Sequence, residues 1–409
     1  MEKQTDKVKE ITDQLEQGIK DLFESQKYAD YLRTMSKLHN YSFNNSLLIA
    51  MQKPDATMVA GYTSWQANFH RNVMKGEQGI KILAPSPYKV SKDIEKIDPD
   101  TQQPIIGKDG QPVKERVQVT IPAFKVATVF DVSQTQGEPI PEISKVLTDD
   151  VKDYERFFKA IQEVSPVPIE FRNIESGANG YYHLEDKVIA IKEDMSQAQT
   201  LKTAIHELSH AMLHDKDSGI EKDSQLDRRT KEVQAESVAY TVCCHYGLDT
   251  SDYSFGYIAG WSSEKELDEL KNSMNTIRST ASEIIKGIDE KLYRAEQEEK
   301  VESLVTEIDK FSKDYDHYGY MDAVEDPERQ VENIKADIKS GNVEYLQEWF
   351  KPIIEEKEPA DMYKQSKSIV ERLNEYSKVK PSEHIDGEAA SITEAVEMKD
   401  VVKHHHRSH

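Results

Sequence analysis

The chain has 409 residues, 37% hydrophobic and 31% charged, with a formal net charge of −22. No apolar run approaches a membrane span, and the opening MEKQTDKVKEITDQLEQ lacks the apolar core of a signal peptide, so no membrane contact and a cytoplasmic location are expected. The acidic balance argues against unspecific nucleic-acid binding by the whole chain, and Cys243 and Cys244, adjacent and the only cysteines, exclude a disulfide framework.

In chain order, Val8, Ile11, Leu15, Ile19 and Leu22 recur at helical spacing and predict a charged amphipathic helix over residues 1–26. Helix continues over 27–52 with a break near His39–Asn45, and a Pro-Asp turn leads to a second helix around Ser64–Phe69. GIKILAP reads as a strand ending at Pro85, and residues 91–116 as a polar, turn-rich insert with a Lys-Asp-Gly hairpin signal. VQVTIPAFKVATVFDVSQT gives two extended runs around Pro122, and GEPIPEIS, residues 137–144, is the best linker. A helix at 147–164 follows, then strands in PVPIEFRNI and GYYHLEDKVIAI, a helix carrying HELSH, a loop from 215 to about 225 and a long helix from about 226 to 246. Residues 263–297 are strongly helical, and 298–409 hold Glu- and Lys-rich helical segments. The expected fold class is α+β in three parts: 1–136, 145–262 and an acidic helical extension over 263–409.

The chemistry concentrates in AIHELSHAMLHD, residues 204–215. Residues four apart share a helix face, so His206 and His210 converge on one ion, and Glu207 reaches a water on that ion. A zinc hydrolase site needs a third protein ligand and an open fourth position. RRTKEVQAESVAYTVCC supplies Glu232 and Glu236, also four apart, on a helix whose other positions include Val233, Val238, Ala239 and Val242. The pattern resembles zincin metallopeptidases of the gluzincin type. That resemblance implies Zn2+ held by His206, His210 and Glu232, with Glu236 orienting a ligand histidine; the reverse assignment of the two glutamates stays open. A metzincin would need its third histidine where Lys216 stands, so His214 is expected at a supporting or surface position. Glu207 is the catalytic base on this reading, and His245, Tyr253 and Tyr257 are candidate oxyanion donors.

Residues 1–150 carry 19 Lys and Arg against 21 Asp and Glu, a net of −2 that leaves −20 of the total −22 to the remainder. Between residues 27 and 89 the sign reverses, with eight cations against Asp30, Asp55 and Glu77. Tyr41, Phe43, Tyr62, Trp65 and Phe69 lie among these charges, and stacking rings plus backbone cations suit single-stranded nucleic acid. The same rings would equally serve as core. The Tyr-Ser-x-x-Asn-x-x-Leu run from Tyr41, Gly-Tyr-x-x-Trp at 61–65, Lys-Gly-Glu-x-Gly-Ile-x-Ile-x-x-Pro at 75–85 and FKVATVFDVSQTQG resemble the N-terminal domain of ArdC-type antirestriction proteins. The resemblance spans roughly residues 5–260; the polar insert and the helical tail depart from it. It implies a mobile-element protein with a single-stranded-DNA-binding domain ahead of a zincin-like metallopeptidase domain. Implied DNA contacts are Tyr41, Asn44, Asn45, Trp65, Arg71, Lys75 and Lys81, and implied partners are single-stranded DNA and a protein substrate or host restriction system. Two alternatives stand beside it: a metalloprotease acting on DNA-associated proteins, and a non-enzymatic DNA binder with a structural zinc. The linker position predicts that DNA binding and metal binding are separable.

Overall fold

A computed structural model describes residues 2–98, 103–107, 110–140, 151–175, 177–214, 226–315, 327–357 and 360–377. Residues 141–144 of the expected linker, the expected loop at 215–225 and the Lys-Asp of the hairpin signal lie outside the described residues. The described residues form two compact units, one from residues up to 140 and 165–284, the other from 151–164 and 285–377.

The first unit opens with three helices, α1 (Glu2–Leu22), α2 (Ser25–Lys37) and α3 (Phe43–Gln52). The stripe expected on α1 is buried at Ile11, Leu15, Ile19 and Leu22. The break before α3 has a local cause: the Ser42 side chain accepts the Asn45 amide and caps the helix. There follow β1 (Val59–Gly61), α4 (Tyr62–Phe69), β2 (Arg71–Val73), β3 (Ile80–Pro85), β4 (Tyr88–Glu95), β5 (Lys114–Ile121), β6 (Phe124–Asp131), a 3-10 turn at Val132–Gln134 and β7 (Thr135–Gly137). Strands β1, β6 and β3 form an antiparallel sheet in that order, with Ile80 opposite Val129 and Val59 opposite Asp131. Strand alternation turns Ile80, Ile82 and Val129 inward onto Leu38, Ile49, Ala56 and Val59. Phe124, Val126, Thr128 and Phe130 take the opposite face of β6.

The outer edge of β3 is closed by two side-chain amides from α3. Asn45 donates to the Leu83 carbonyl at 3.0 Å and accepts the Leu83 amide at 2.9 Å. Gln52 does the same to Lys81, donating at 2.9 Å and accepting at 2.8 Å. The two amides replace the neighbour that an edge strand lacks.

Residues 91–116 are more regular than a polar insert implies. β4 and β5 pair along their whole length, Tyr88 with Ile121 through Glu95 with Lys114, as a two-stranded ribbon. Every β4 residue is exposed. The alternation of Tyr88, Val90 and Ile94 with charged residues predicts a strand, and the composition that suggested a loop is the solvated half of that pattern.

Next comes α5 (Val151–Val164), which belongs to the second unit. Strands β8 (Ile169–Arg172), β9 (Gly180–His183) and β10 (Val188–Lys192) then form a sheet in the order β8-β10-β9, with β10 parallel to β8 and antiparallel to β9. Central β10 is buried on both faces, which explains its unbroken Val-Ile-Ala-Ile run. Helix α6 (Gln197–His214) packs on β9 and β10, and α7 (Arg228–His245) packs along α6. Asp227 caps α7 by accepting the Thr230 amide at 2.8 Å, and that bond holds its carboxyl down at about 2. α8 (Ile258–Ser262) brings in Trp261, whose Nε1 donates to Thr230 Oγ1 at 3.0 Å.

α7 is buried nearly all round because α2 lies along another of its faces. The Tyr28 hydroxyl meets Ser237 Oγ at 2.8 Å, Arg33 reaches the Tyr240 hydroxyl at 3.1 Å, and His245 Nδ1 meets the Ser36 carbonyl at 2.8 Å. The expectation that DNA binding and metal binding separate across a linker therefore meets a packed interface between the two regions. The N-terminal residues share one packed unit with the HELSH and Glu232 helices.

Helix α9 (Leu267–Tyr315) gives residues up to 284 to the first unit and the rest to the second, joined there by α10 (Pro327–Ser340), α11 (Glu344–Glu356) and α12 (Ala360–Ser377). The second unit buries its own hydrophobic core, including Leu304, Ile308, Phe350 and Leu373. Among the described residues, no helix is long and apolar enough to cross a membrane.

Candidate metal centre and nucleic-acid face

Helical spacing on α6 stacks His206 and His210 one turn apart, with ring centroids 4.8 Å apart. Across from them α7 presents Glu232, whose Oε2 lies 4.0 Å from His206 Nε2 and 3.6 Å from His210 Nε2. One donor atom from each of the three residues falls within 4.8 Å of the others. A tetrahedral ion with bonds of about 2.1 Å has donor–donor edges of roughly 3.4 Å, so the set fits a small divalent cation with little movement.

The electrostatics agree with the donor set. Burial pushes His206 down to about 4, which keeps its imidazole neutral and able to donate a lone pair. The contact with His210 holds the Glu232 carboxyl below its usual range, hence ionised. Glu207 is 8% exposed; burial pushes its carboxyl up to about 7, and the backbone amide of Tyr182 on β9 donates to it. That contact needs β9 close to α6. A Cβ on Gly180 would lie 2.6 Å from Thr203 Cγ2 and 3.3 Å from Glu207 Cγ, so glycine is what lets the strand approach.

Glu236 stands one turn beyond Glu232 and receives a hydrogen bond from the Tyr257 hydroxyl. Burial raises both groups. Of the two glutamates it is Glu232 that meets the histidines. His214 is buried, and its Nε2 meets the Lys231 carbonyl at 3.2 Å, one residue before Glu232. Of the three oxyanion candidates, Tyr253 lines a cavity of about 280 Å³ with His206, Glu207 and Glu236, while Tyr257 serves Glu236 and His245 turns to Ser36.

The N-terminal candidates are scattered in role. Trp65 is fully buried and its Nε1 donates to the Phe130 carbonyl at 2.9 Å, which corrects its assignment as a stacking ring. Tyr41 packs against the sheet core with its hydroxyl on the Val59 carbonyl at 2.7 Å, and burial pushes it up to about 12. Asn45 is committed to the β3 edge. Arg71 is committed as well: its guanidinium binds Thr135 Oγ1 at 2.8 Å, the Thr135 carbonyl at 3.0 Å and the Glu138 carbonyl. In all three, polar atoms already hold the fold together, while each residue keeps partial exposure. Asn44 is partly exposed on the first turn of α3, and Lys75 and Lys81 are exposed, with Lys81 Nζ 2.7 Å from Thr128 Oγ1.

Residues 2–130 match the family model described as the N-terminal domain of anti-restriction factor ArdC, and residues 162–247 match the Peptidase M78 model, described as the IrrE N-terminal-like domain. The chain carries an ArdC-type N-terminal domain followed by an IrrE-like peptidase domain. It is 29% identical over 324 residues to an uncharacterised Bacillus anthracis protein, covering 72% of this chain and 53% of that protein. It is 27% identical over 212 residues to the Escherichia coli DNA primase TraC, covering 49% of this chain and 18% of the primase. The chain thus spans about half of the first relative and under a fifth of the second. Crystal structures of the antirestriction protein ArdC from plasmid R388 share 23% identity over 62% of this chain and 84% of theirs, with TM-scores of 0.35 metal-free and 0.34 with Mn(II).

Within the ArdC-type domain, the sequence reading placed Tyr62 among the candidate rings and missed Tyr88 and Phe124. Tyr62, Tyr88 and Phe124 are 57%, 56% and 55% exposed, against 0% for Trp65. Lys81 and Thr128 occupy the same outward face of β3 and β6 as Phe124 and Phe130, and the Tyr62 ring meets Phe130 edge-on at 6.3 Å. The usable signal was the period of two in FKVATVF, which places Phe124, Val126, Thr128 and Phe130 together.

Proposed function

We propose that this chain is an antirestriction-type protein of a mobile genetic element that binds single-stranded DNA and hydrolyses peptide bonds at a zinc centre. The observation that carries the reading is the meeting of His206, His210 and Glu232 beside buried Glu207, with His206 and Glu207 on the wall of an open cavity. The two imidazoles and one carboxylate would hold the ion, and such a donor set suits zinc. Bound there, a divalent cation supplies a Lewis acid and brings the pKa of water toward neutrality. Glu207 takes the proton of the attacking water and passes it to the leaving amine as the C–N bond breaks. The Tyr182 amide fixes Glu207, the Tyr257 hydroxyl fixes Glu236, and Tyr253 is the donor assigned to the developing oxyanion. The cavity supports a centre open on one side over a closed structural zinc.

For DNA, the outward face of β3 and β6 supports the reading: Phe124 and Phe130 offer rings, Tyr62 flanks them, and Lys81 and exposed Lys75 offer cations to phosphates. The ArdC-type domain supports a role in protecting entering DNA from a host restriction system in the cytoplasm. The test is metal analysis of the purified chain together with a single-strand titration. About one zinc per chain is expected, lost in the His206→Ala, His210→Ala double variant. Affinity for single strands should fall with added salt and exceed that for duplex. Retention of zinc by the double variant overturns the centre, and equal affinity for duplex overturns the DNA assignment.

A further inference from the structure

The cavity beside Glu207 holds a charged pair that the hydrolytic reading leaves unused. Lys202 lies one turn before His206, so the two share a face of α6. Its side chain is only 10% exposed, and its Nζ meets Asp252 Oδ2 at 2.7 Å. Asp252 follows α7, and its side chain is 73% exposed. Apart from the acids Glu207, Glu236 and Asp252, the wall near Lys202 is neutral, with Asn179, Gln199 and Thr203.

A nearly buried ammonium needs a counter-charge, because transfer from water penalises it heavily when unpaired. Its partner here stands mostly in water, where an ion pair is weak and readily exchanged. Lys202 therefore combines a held position, a replaceable partner and a share of the cavity wall. The cavity, about 280 Å³, lies just below the roughly 300–1,000 Å³ of small-ligand pockets and has the scale of a single residue.

We infer that this pocket receives a carboxylate of the substrate, with Lys202 as its counter-ion and Asp252 as the group that yields to it. The inference rests on the hydrolytic reading. The carboxylate is either an Asp or Glu side chain beside the scissile bond or the free C-terminus of the chain being cut. A neutral residue leaves Lys202 with Asp252, and a basic one meets the ammonium head-on.

The test uses the zinc-loaded full chain on a proteome-derived peptide library, with cut sites mapped by mass spectrometry. Asp, Glu or a free C-terminus should be enriched at one fixed position beside the cut. Synthetic pairs separate the two sources: Asp or Glu against Asn or Gln, and C-terminal acid against amide. On the best acidic peptide, Lys202→Gln should lower kcat/KM at least tenfold, Lys202→Arg should retain most of it, Lys202→Glu should turn the preference toward Lys and Arg, and Asp252→Asn should raise it. Binding of the same labelled peptide by the Glu207→Gln chain should be tighter than binding of its neutral twin. Zinc content and melting temperature of each variant identify any loss of fold, and the Lys202→Arg result then carries the comparison. Cleavage without acidic preference, or with a preference unchanged in Lys202→Gln, overturns the inference and leaves hydrolysis standing. No cleavage of any peptide by the zinc-loaded parent overturns the hydrolytic reading, and the inference falls with it.

Discussion

Glu207 and Glu232 are both glutamates beside the same histidines, yet their surroundings push their carboxyls in opposite directions, which supports the opposite roles proposed for them. Glu207 is buried and held by a strand amide, while the Glu232 side chain is half exposed and held ionised against His210. Glu207→Gln should accordingly keep the zinc and lose at least a hundredfold in hydrolysis, since general-base assistance contributes about 10²–10⁴. Metal analysis beside a peptide assay reads both, and undiminished hydrolysis would contradict the assignment. Asp227 acts at one remove by capping α7. Asp227→Ala should cost about 1 kcal/mol of stability, read as a lower melting temperature, while Asp227→Asn should cost little because its amide oxygen still caps. Its carboxyl titrates lower in the folded chain than in the unfolded one, so the cap's contribution is intact above the ordinary carboxylate range and is lost as pH falls toward about 2. A cap lost already at pH 6 would show that another group dominates.

At the scale of elements, the helical and strand periods of the sequence located nearly every residue of the candidate metal centre. His206 and His210 at i and i+4 need only a helix to converge, and Glu232 needs only a second helix beside it. The N-terminal face was harder to read because an aromatic residue carries no mark of which side of the sheet it will take. Trp65 sits between polar neighbours on a short helix, and its burial comes from tertiary packing under β6, which no local period encodes. Trp65→Ala should therefore destabilise by about 3–5 kcal/mol and lower all functions together. Phe124→Ala with Lys81→Ala should leave the melting curve in place and weaken single-strand binding by about tenfold or more per lost stacking contact. If the second variant binds normally, the outward face is not the DNA surface. The β4–β5 ribbon gives a third element-level outcome. The Ser86 amide already meets the Ala123 carbonyl at 2.7 Å across its base, so replacing residues 88–121 with a tight turn should shift stability by no more than about 1 kcal/mol, a few degrees in Tm. A collapse of the fold would show that the exposed strands are covered in solution.

For the whole molecule, the decisive contact is between α2 and α7. Phe23 meets Trp261 at 5.8 Å between ring centroids and Tyr28 meets Phe255 at 5.1 Å, so the ArdC-type domain supplies part of the packing around the peptidase helices. A fragment ending at residue 140 would expose these rings. It should aggregate or melt without cooperativity, whereas a fragment ending at residue 284 keeps the packing of α2 on α7. Equal melting behaviour of the two fragments would show that the domains are independent after all. The same contact gives the proposed DNA-binding domain a physical route to Glu232, because α2 packs on the helix that carries it.

The three tryptophans are distributed so that light can report on each part separately. Trp65 is fully buried with its Nε1 on the Phe130 carbonyl, Trp261 is 1% exposed beside the start of α7, and Trp349 packs against the core of the second unit. Of the three, the Trp261 indole is tied to the candidate metal centre, through Thr230, two residues before Glu232. Variants keeping one tryptophan each, with phenylalanine at the other two, turn intrinsic fluorescence into three independent probes. Added zinc should change the emission of Trp261 and leave Trp349 silent. A response from Trp65 would reveal, without any label or substrate, that the proposed DNA-binding domain senses occupancy of the candidate centre.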